Sequence, residues 1–180
     1  MEDLSLHILD LAQNSISAKA SFIELSVIKD SKACTLQVMI RDNGCGMTEE
    51  QAAKAADPFY TTRPSGTGGM GLPLFRQACQ QTGGTFTLRS EEGKGTCVNA
   101  TFFTGSPNCK PLGAIEDTVY ALIRANAQTD FLYTARCDER ETVTDTREFR
   151  AILEGIPLDA PEVDAFIRNY LKENSPFRNS

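Results

Sequence analysis

The run DPFYTTRPSGTGGMG, Asp57 to Gly71, constrains the fold of this chain more than any other stretch. Pro64, Gly66, Gly68, Gly69 and Gly71 crowd its second half. Proline removes a backbone donor and glycine favours the unfolded backbone, so neither a helix nor a strand persists through it. The expectation is a mobile loop, with regular elements confined to either side.

Upstream, Leu4, Ile8, Leu11, Ser15 and Ala18 recur at three- and four-residue intervals, which predicts a helix over Asp3–Ala18 with one apolar face. Phe22–Val27 and Thr35–Ile40 alternate apolar with polar side chains around a Lys29–Lys32 turn and read as antiparallel strands. Thr48 with Gln51 forms a capping-box pattern ahead of a short helix that ends before Pro58. Downstream, Leu72–Thr82 is helix-forming and closed by Gly83-Gly84, with Pro73 tolerable in the opening turn. Thr85–Ser90 and Thr96–Phe103 then make a second hairpin around Glu91–Gly95. Together these predict an α+β two-layer sandwich: a mixed, mainly antiparallel sheet with helices on one face.

Thr104–Asn108 reads as a linker, dividing the chain into residues 1–105 and an accessory region, 106–180, of one helix (Ile115–Ala127), a hairpin around Asp138–Arg140 and two short helices. Asp159 and Glu162 are placed to cap the last helix, with Leu158 stapled onto Val163. The accessory region offers no catalytic constellation, and its mixed charges read as a solvated surface.

Composition excludes several classes of function. With 180 residues, 41% of them hydrophobic, the chain buries a real core. Lys plus Arg number 18 against 24 Asp plus Glu, a net charge of −6, opposite in sign to a nucleic-acid footprint. No apolar run approaches the roughly 20 residues that span a bilayer, and the acidic start Met1-Glu2-Asp3 is unlike a secretory signal, so a cytoplasmic protein is expected. Six cysteines without a Cys-x-x-Cys pair read as reduced, mostly buried thiols. The single histidine, His7, leaves little basis for a serine or cysteine hydrolase.

Three segments carry chemistry. Asp10 and Asn14 project about 40° apart on the first helix, and one carboxylate and one carboxamide suit a Mg²⁺ that shares its shell with water and phosphates. A solvent-facing Asn14 is the plainer alternative. In RDNGCGM, Asp42 ends a strand and enters Asn43-Gly44, a turn signal, while Gly46 lets backbone approach a flat ligand. Asp42 is then an acceptor for an exocyclic amino group, with ligand or water completing its partners; taken alone, Asp-Asn-Gly is more often a hairpin turn. Finally, GTGGMG (Gly66–Gly71) leads into a helix N-terminus, where amide N–H groups and the dipole favour phosphate oxygens. It is neither a P-loop nor a dinucleotide fingerprint.

In this order the segments resemble the GHKL superfamily of ATPases, named for gyrase, the heat-shock chaperone, histidine kinases and MutL, over roughly residues 1–104. Asn14 matches the metal-binding asparagine, Asp42-x-Gly44-x-Gly46 the adenine box, Asp57–Thr62 the kinase-type phenylalanine box and Gly66-x-Gly68-x-x-Gly71 the lid. The resemblance implies the Bergerat ATP-binding fold, with ATP and Mg as cofactors. It implies nucleotide contacts from Asn14, Asp42, Gly44, Gly46, Met47, Thr62, Arg63, Gly66, Thr67, Gly68, Gly69, Met70, Gly71 and Leu72. Thr96 resembles the threonine that reaches adenine through a water, and Arg63 brings positive charge to the lid.

FYTTRPSGTGGMGL looks like a sensor histidine kinase, whereas LAQNSISAKASFIELSV and IRDNGCGM look like MutL. Gyrase and MutL relatives place a glutamate general base four residues before the asparagine; here Asp10, one methylene shorter, holds that place. Ser17 stands where many kinases carry lysine. With the first helix starting almost at Met1, no upstream phosphoacceptor module is expected, and His7 reads as structural. The functions implied are a Mg-ATP-binding, histidine kinase-like signal-transduction protein that phosphorylates a separate partner or slowly hydrolyses ATP, or a non-catalytic switch whose lid closure controls a protein partner.

Overall fold

The computed structural model describes residues 3–57 and 70–178. It opens with α1 (Leu4–Ser17), the hairpin β1 (Phe22–Asp30) and β2 (Thr35–Asp42), and the short α2 (Glu49–Lys54). After Met70 come α3 (Gly71–Gln80), β3 (Thr85–Glu91) and β4 (Gly95–Phe103). The remainder holds α4 (Ile115–Ala125), β5 (Asp130–Cys137), β6 (Arg140–Asp145), α5 (Thr146–Leu153) and α6 (Pro161–Glu173).

Local chemistry sets the element ends. Asp3 caps α1, its carboxylate accepting from the Leu6 N–H at 3.1 Å. Thr48 and Gln51 complete the reciprocal capping box of α2. The last helix departs from expectation: Ala160, not Asp159, is its N-cap, without a side-chain cap. Pro161 takes the first helical position, where its fixed φ suits the helix and its missing N–H costs nothing.

The six strands form one sheet in the order β3-β4-β2-β1-β5-β6. Neighbours are antiparallel except β1 and β5, which run parallel with Phe22 opposite Asp130. The C-terminal hairpin thus extends the sheet begun by the first two strands. The chain after β4 also returns to α1, where Leu4 and Ser5 donate to the carbonyls of Pro111 and Leu112, both at 2.9 Å. Helices α1, α3, α4 and α6 bury apolar side chains against one face of the sheet, in a core that includes Ile8, Ile23, Phe75, Phe102, Ile115 and Ile167. On the opposite face, Gln37, Arg41, Asn99 and Phe103 are exposed.

The cysteines differ from the expectation of mostly buried thiols. All six are free, but only Cys79 and Cys137 are buried, while Cys34 and Cys45 are exposed. Both exposed thiols sit in loops, where no apolar layer covers the backbone. The accessory region's charges pair across its elements, as in Arg150–Asp130 at 2.7 Å and Lys172–Asp117 at 2.9 Å. Among the described residues no helix is long and apolar enough to cross a membrane.

Candidate functional site

The site is built along α1. Asp10, Asn14 and Ser15 lie within six residues, and a rise of 1.5 Å per residue places Asp10 and Ser15 about 7.5 Å apart along the axis. Each end of this stretch meets a different part of the chain.

At one end lies Asp42, the last residue of β2. Its Oδ2 accepts from the Ser15 hydroxyl at 2.6 Å. Its Oδ1 accepts from the Gly44 N–H at 2.9 Å and the Thr96 N–H at 3.3 Å. A half-buried carboxylate needs such donors, and here the protein supplies three of them. The expectation that a ligand or water must complete Asp42 is corrected accordingly. Ser15, 3% exposed, is the residue that sequence reasoning missed. Its one signal was a hydroxyl on an otherwise apolar helical stripe.

The loop after β2 is locked by backbone and side chain together. The Asn43 amide accepts from the Ser21 and Phe22 N–H groups at 2.9 and 3.0 Å and donates to Ser21 Oγ at 2.9 Å. The Cys45 N–H donates to the Ala18 carbonyl at 2.9 Å, and the Gly93 N–H to the Cys45 carbonyl at 2.7 Å. Gly46 has φ +66°, and a Cβ there would sit 2.0 Å from the Glu91 carbonyl oxygen. Only glycine meets both demands. Met47 leaves the loop with its N–H donating to Ser90 Oγ at 2.8 Å.

At the other end, Asp10 faces the start of α3. A Cβ on Gly71 would lie 2.3 Å from Asp10 Oδ2, so the helix begins flush against the carboxylate. Met70 provides no side-chain cap, and Leu72 packs against the core. His7, one turn before Asp10, is 2% exposed, and neither ring nitrogen has a hydrogen-bond partner among the described residues. Burial, aided by the positive charge of Lys110, lowers its pKa to about 4, so the imidazole is neutral in the folded protein. It packs 6.0 Å from the Phe75 ring of α3.

The structure therefore brings Asp10 to Gly71, and Asp42 to Gly44, Thr96 and the helix bearing Asn14. Thr62, Arg63, Gly66, Thr67, Gly68 and Gly69, and the Pro58–Thr61 part of the phenylalanine box, lie outside the described residues. Among the described residues no cluster of three or more His, Cys, Asp or Glu side chains could hold a metal.

Comparison with known proteins gives this geometry its class. The family model for histidine kinase-, DNA gyrase B- and HSP90-like ATPases matches residues 2–105, and the chain belongs to that family. It is similar to sporulation kinase E of Bacillus subtilis, 39% identical over 64 residues, 36% of this chain and 8% of that protein. It is also similar to the sensor protein kinase FleS of Pseudomonas aeruginosa, 34% identical over 110 residues, 61% of this chain and 27% of that protein. The chain spans under a third of the length of these two relatives. Among solved structures, the Aquifex aeolicus MutL ATPase domain complexed with ADP superposes with a TM-score of 0.54 at 14% identity. That match covers 94% of this chain and 88% of that one, so the six-stranded mixed sheet with its helical layer is a fold shared with a GHKL ATPase.

Proposed function

We propose that this chain binds Mg-ATP in a site alongside α1, with the purine at Asp42 and the phosphates toward Asp10, Asn14 and the start of α3. The observation that carries this reading is the placing of α1, hydrogen-bonded through Ser15 to Asp42 and with Asp10 lying close against Gly71. One helix thereby fixes the spacing between a purine acceptor and a helix N-terminus suited to phosphate.

The donor set fits a magnesium ion shared with the nucleotide. Asn14 supplies a carboxamide oxygen and Asp10 a carboxylate oxygen, both hard ligands, and Gly71 leaves that carboxylate room against the helix end. Asn14 would hold the metal, which neutralises phosphate charge when bound. Met47, Gly44 and Gly46 would shape the purine side, while Met70, Gly71 and Leu72 would bring backbone to the phosphates.

Phosphoryl transfer relies mainly on positioning and electrostatic stabilisation, which α1 and the start of α3 would supply together. We read the chain as a histidine kinase-like signalling protein that passes the γ-phosphoryl group to a separate protein or releases it slowly to water, with Asp10 orienting the attacking water. Buried His7 is unsuited to be an acceptor in the same chain. The second reading, a non-catalytic switch in which ATP orders the chain for a partner, is favoured by the aspartate at position 10, shorter than the glutamate of the hydrolysing relatives.

Purified chain incubated with labelled Mg-ATP separates these readings. Released phosphate or label on an added protein supports the enzyme, and stable bound ATP alone supports the switch. No bound nucleotide contradicts both.

A further inference from the structure

Three residues on three neighbouring strands form a cross-strand row at the site end of the sheet: Ser90 of β3 opposite Thr96 of β4, and Thr96 opposite Asp42 of β2. Directly opposite residues share a face and lie within side-chain reach. Thr96 and Asp42 are the expected purine contacts, whereas Ser90 has no assigned part. Its hydroxyl nonetheless meets three partners. It accepts from the Met47 N–H at 2.8 Å, donates to the Gly95 carbonyl at 3.1 Å and lies 2.8 Å from Thr96 Oγ1.

A serine hydroxyl has one proton and two lone pairs. All three contacts are met at once in one arrangement only: the Met47 N–H and the Thr96 O–H both donate to Ser90, and the Ser90 proton goes to the Gly95 carbonyl. The proton of Thr96 is then committed to Ser90, so Thr96 offers only lone pairs to a ligand. The neighbouring Asp42 carboxylate is an acceptor as well. We infer that Ser90 is a specificity-determining positioning residue, which holds Thr96 as an acceptor so that the Thr96–Asp42 edge favours a purine bearing an amino group over one bearing a carbonyl at the same position. The inference rests on the reading of the Asp42–Thr96 edge as a purine-nucleotide site. Ser90 acts through Thr96, either directly or through a water that Thr96 orients.

The test is calorimetric titration of the full chain with Mg-ATP and Mg-ITP, which differ at C6, amino against carbonyl, and in the proton that ITP carries on N1, with unfolding temperature measured alongside. Wild type should bind ATP more tightly than ITP. Ser90→Ala frees the Thr96 hydroxyl to rotate and donate to the ITP carbonyl, so the ratio Kd(ITP)/Kd(ATP) should fall roughly five- to tenfold, the scale of one hydrogen bond. Ser90→Thr, which keeps the hydroxyl, should leave the ratio within about twofold of wild type. If Ser90→Ala does not fold, Thr96→Val carries the test and should lower the ratio similarly. A Ser90→Ala ratio within about twofold of wild type overturns the role of Ser90 while leaving the nucleotide site standing. A wild type that binds neither nucleotide overturns the site reading itself.

Discussion

The hydroxyl of Ser15 on α1 donates to Oδ2 of Asp42 at the end of β2 across 2.6 Å, joining the helical layer to the sheet at the edge of the candidate purine site. The acceptor is charged, and charge-assisted bonds of this kind contribute about 1.5–3 kcal/mol. Ser15→Ala leaves Oδ2 short of a donor and lets the carboxylate turn. Chemical denaturation should show a loss of about 1–2 kcal/mol, and ATP affinity should fall up to about tenfold. Unchanged stability and affinity would deny this bond any part in the site.

Gly46 and Gly93 provide a matched pair of substitutions. Both have positive φ, but a Cβ on Gly46 meets the Glu91 carbonyl at 2.0 Å, whereas a Cβ on Gly93 would meet none of the described residues beyond its chain neighbours within 4 Å. A left-handed conformation alone costs a non-glycine residue about 1–2 kcal/mol. Gly93→Ala should lose about that much, and Gly46→Ala clearly more, because the clash is with backbone that cannot rotate aside. Equal losses in urea denaturation would contradict the close approach at Gly46.

Gly71→Ala probes the other end of α1. The new Cβ would fall 2.3 Å from Asp10 Oδ2, the tip of a side chain that can swing away. The fold should therefore survive, since alanine favours a helix by up to about 1 kcal/mol over glycine. ATP turnover should drop together with that of Asp10→Asn, while the unfolding temperature holds or rises. Full turnover in both variants would remove Asp10 from the chemistry.

His7 makes stability depend on pH. Its folded pKa, lowered from 6.5 to about 4 chiefly by burial and secondarily by Lys110, lies below the unfolded value. The unfolded chain therefore takes up a proton first as pH falls. The contribution of neutral His7 is complete above pH 6.5 and is lost as pH drops from 6.5 toward 4. The loss amounts to about 3 kcal/mol at most, at 1.36 kcal/mol per unit of pKa. His7→Leu should flatten that part of the stability–pH curve. A curve as steep as that of wild type would place the proton uptake elsewhere.

How much was legible beforehand follows from the range of each interaction. Local signals sufficed for α1, whose stripe of Leu4, Ile8 and Leu11 is buried as its spacing predicts, and for the Thr48–Gln51 box. Asp42, Gly44 and Gly46 were legible because an acid, a turn signal and a second glycine lie within five residues. The partner of Ser15 was not, since a serine on an apolar stripe carries no trace of a carboxylate 27 residues away. The parallel pairing of β1 with β5 joins residues about a hundred positions apart, with no local pattern to announce it. The start of α6 was misjudged because an aspartate followed by a glutamate three residues later imitates a capping box, while Pro161 sets the start by its own backbone.

The most direct measurement compares Mg-ATP binding by wild type and Asp42→Asn using equilibrium dialysis, with unfolding followed in parallel. Asparagine keeps the shape and removes the charged acceptor, so affinity should fall by about 1.5–3 kcal/mol, a factor of roughly ten or more, in a variant that remains folded. ATP binding of equal strength by the two folded proteins would contradict the account.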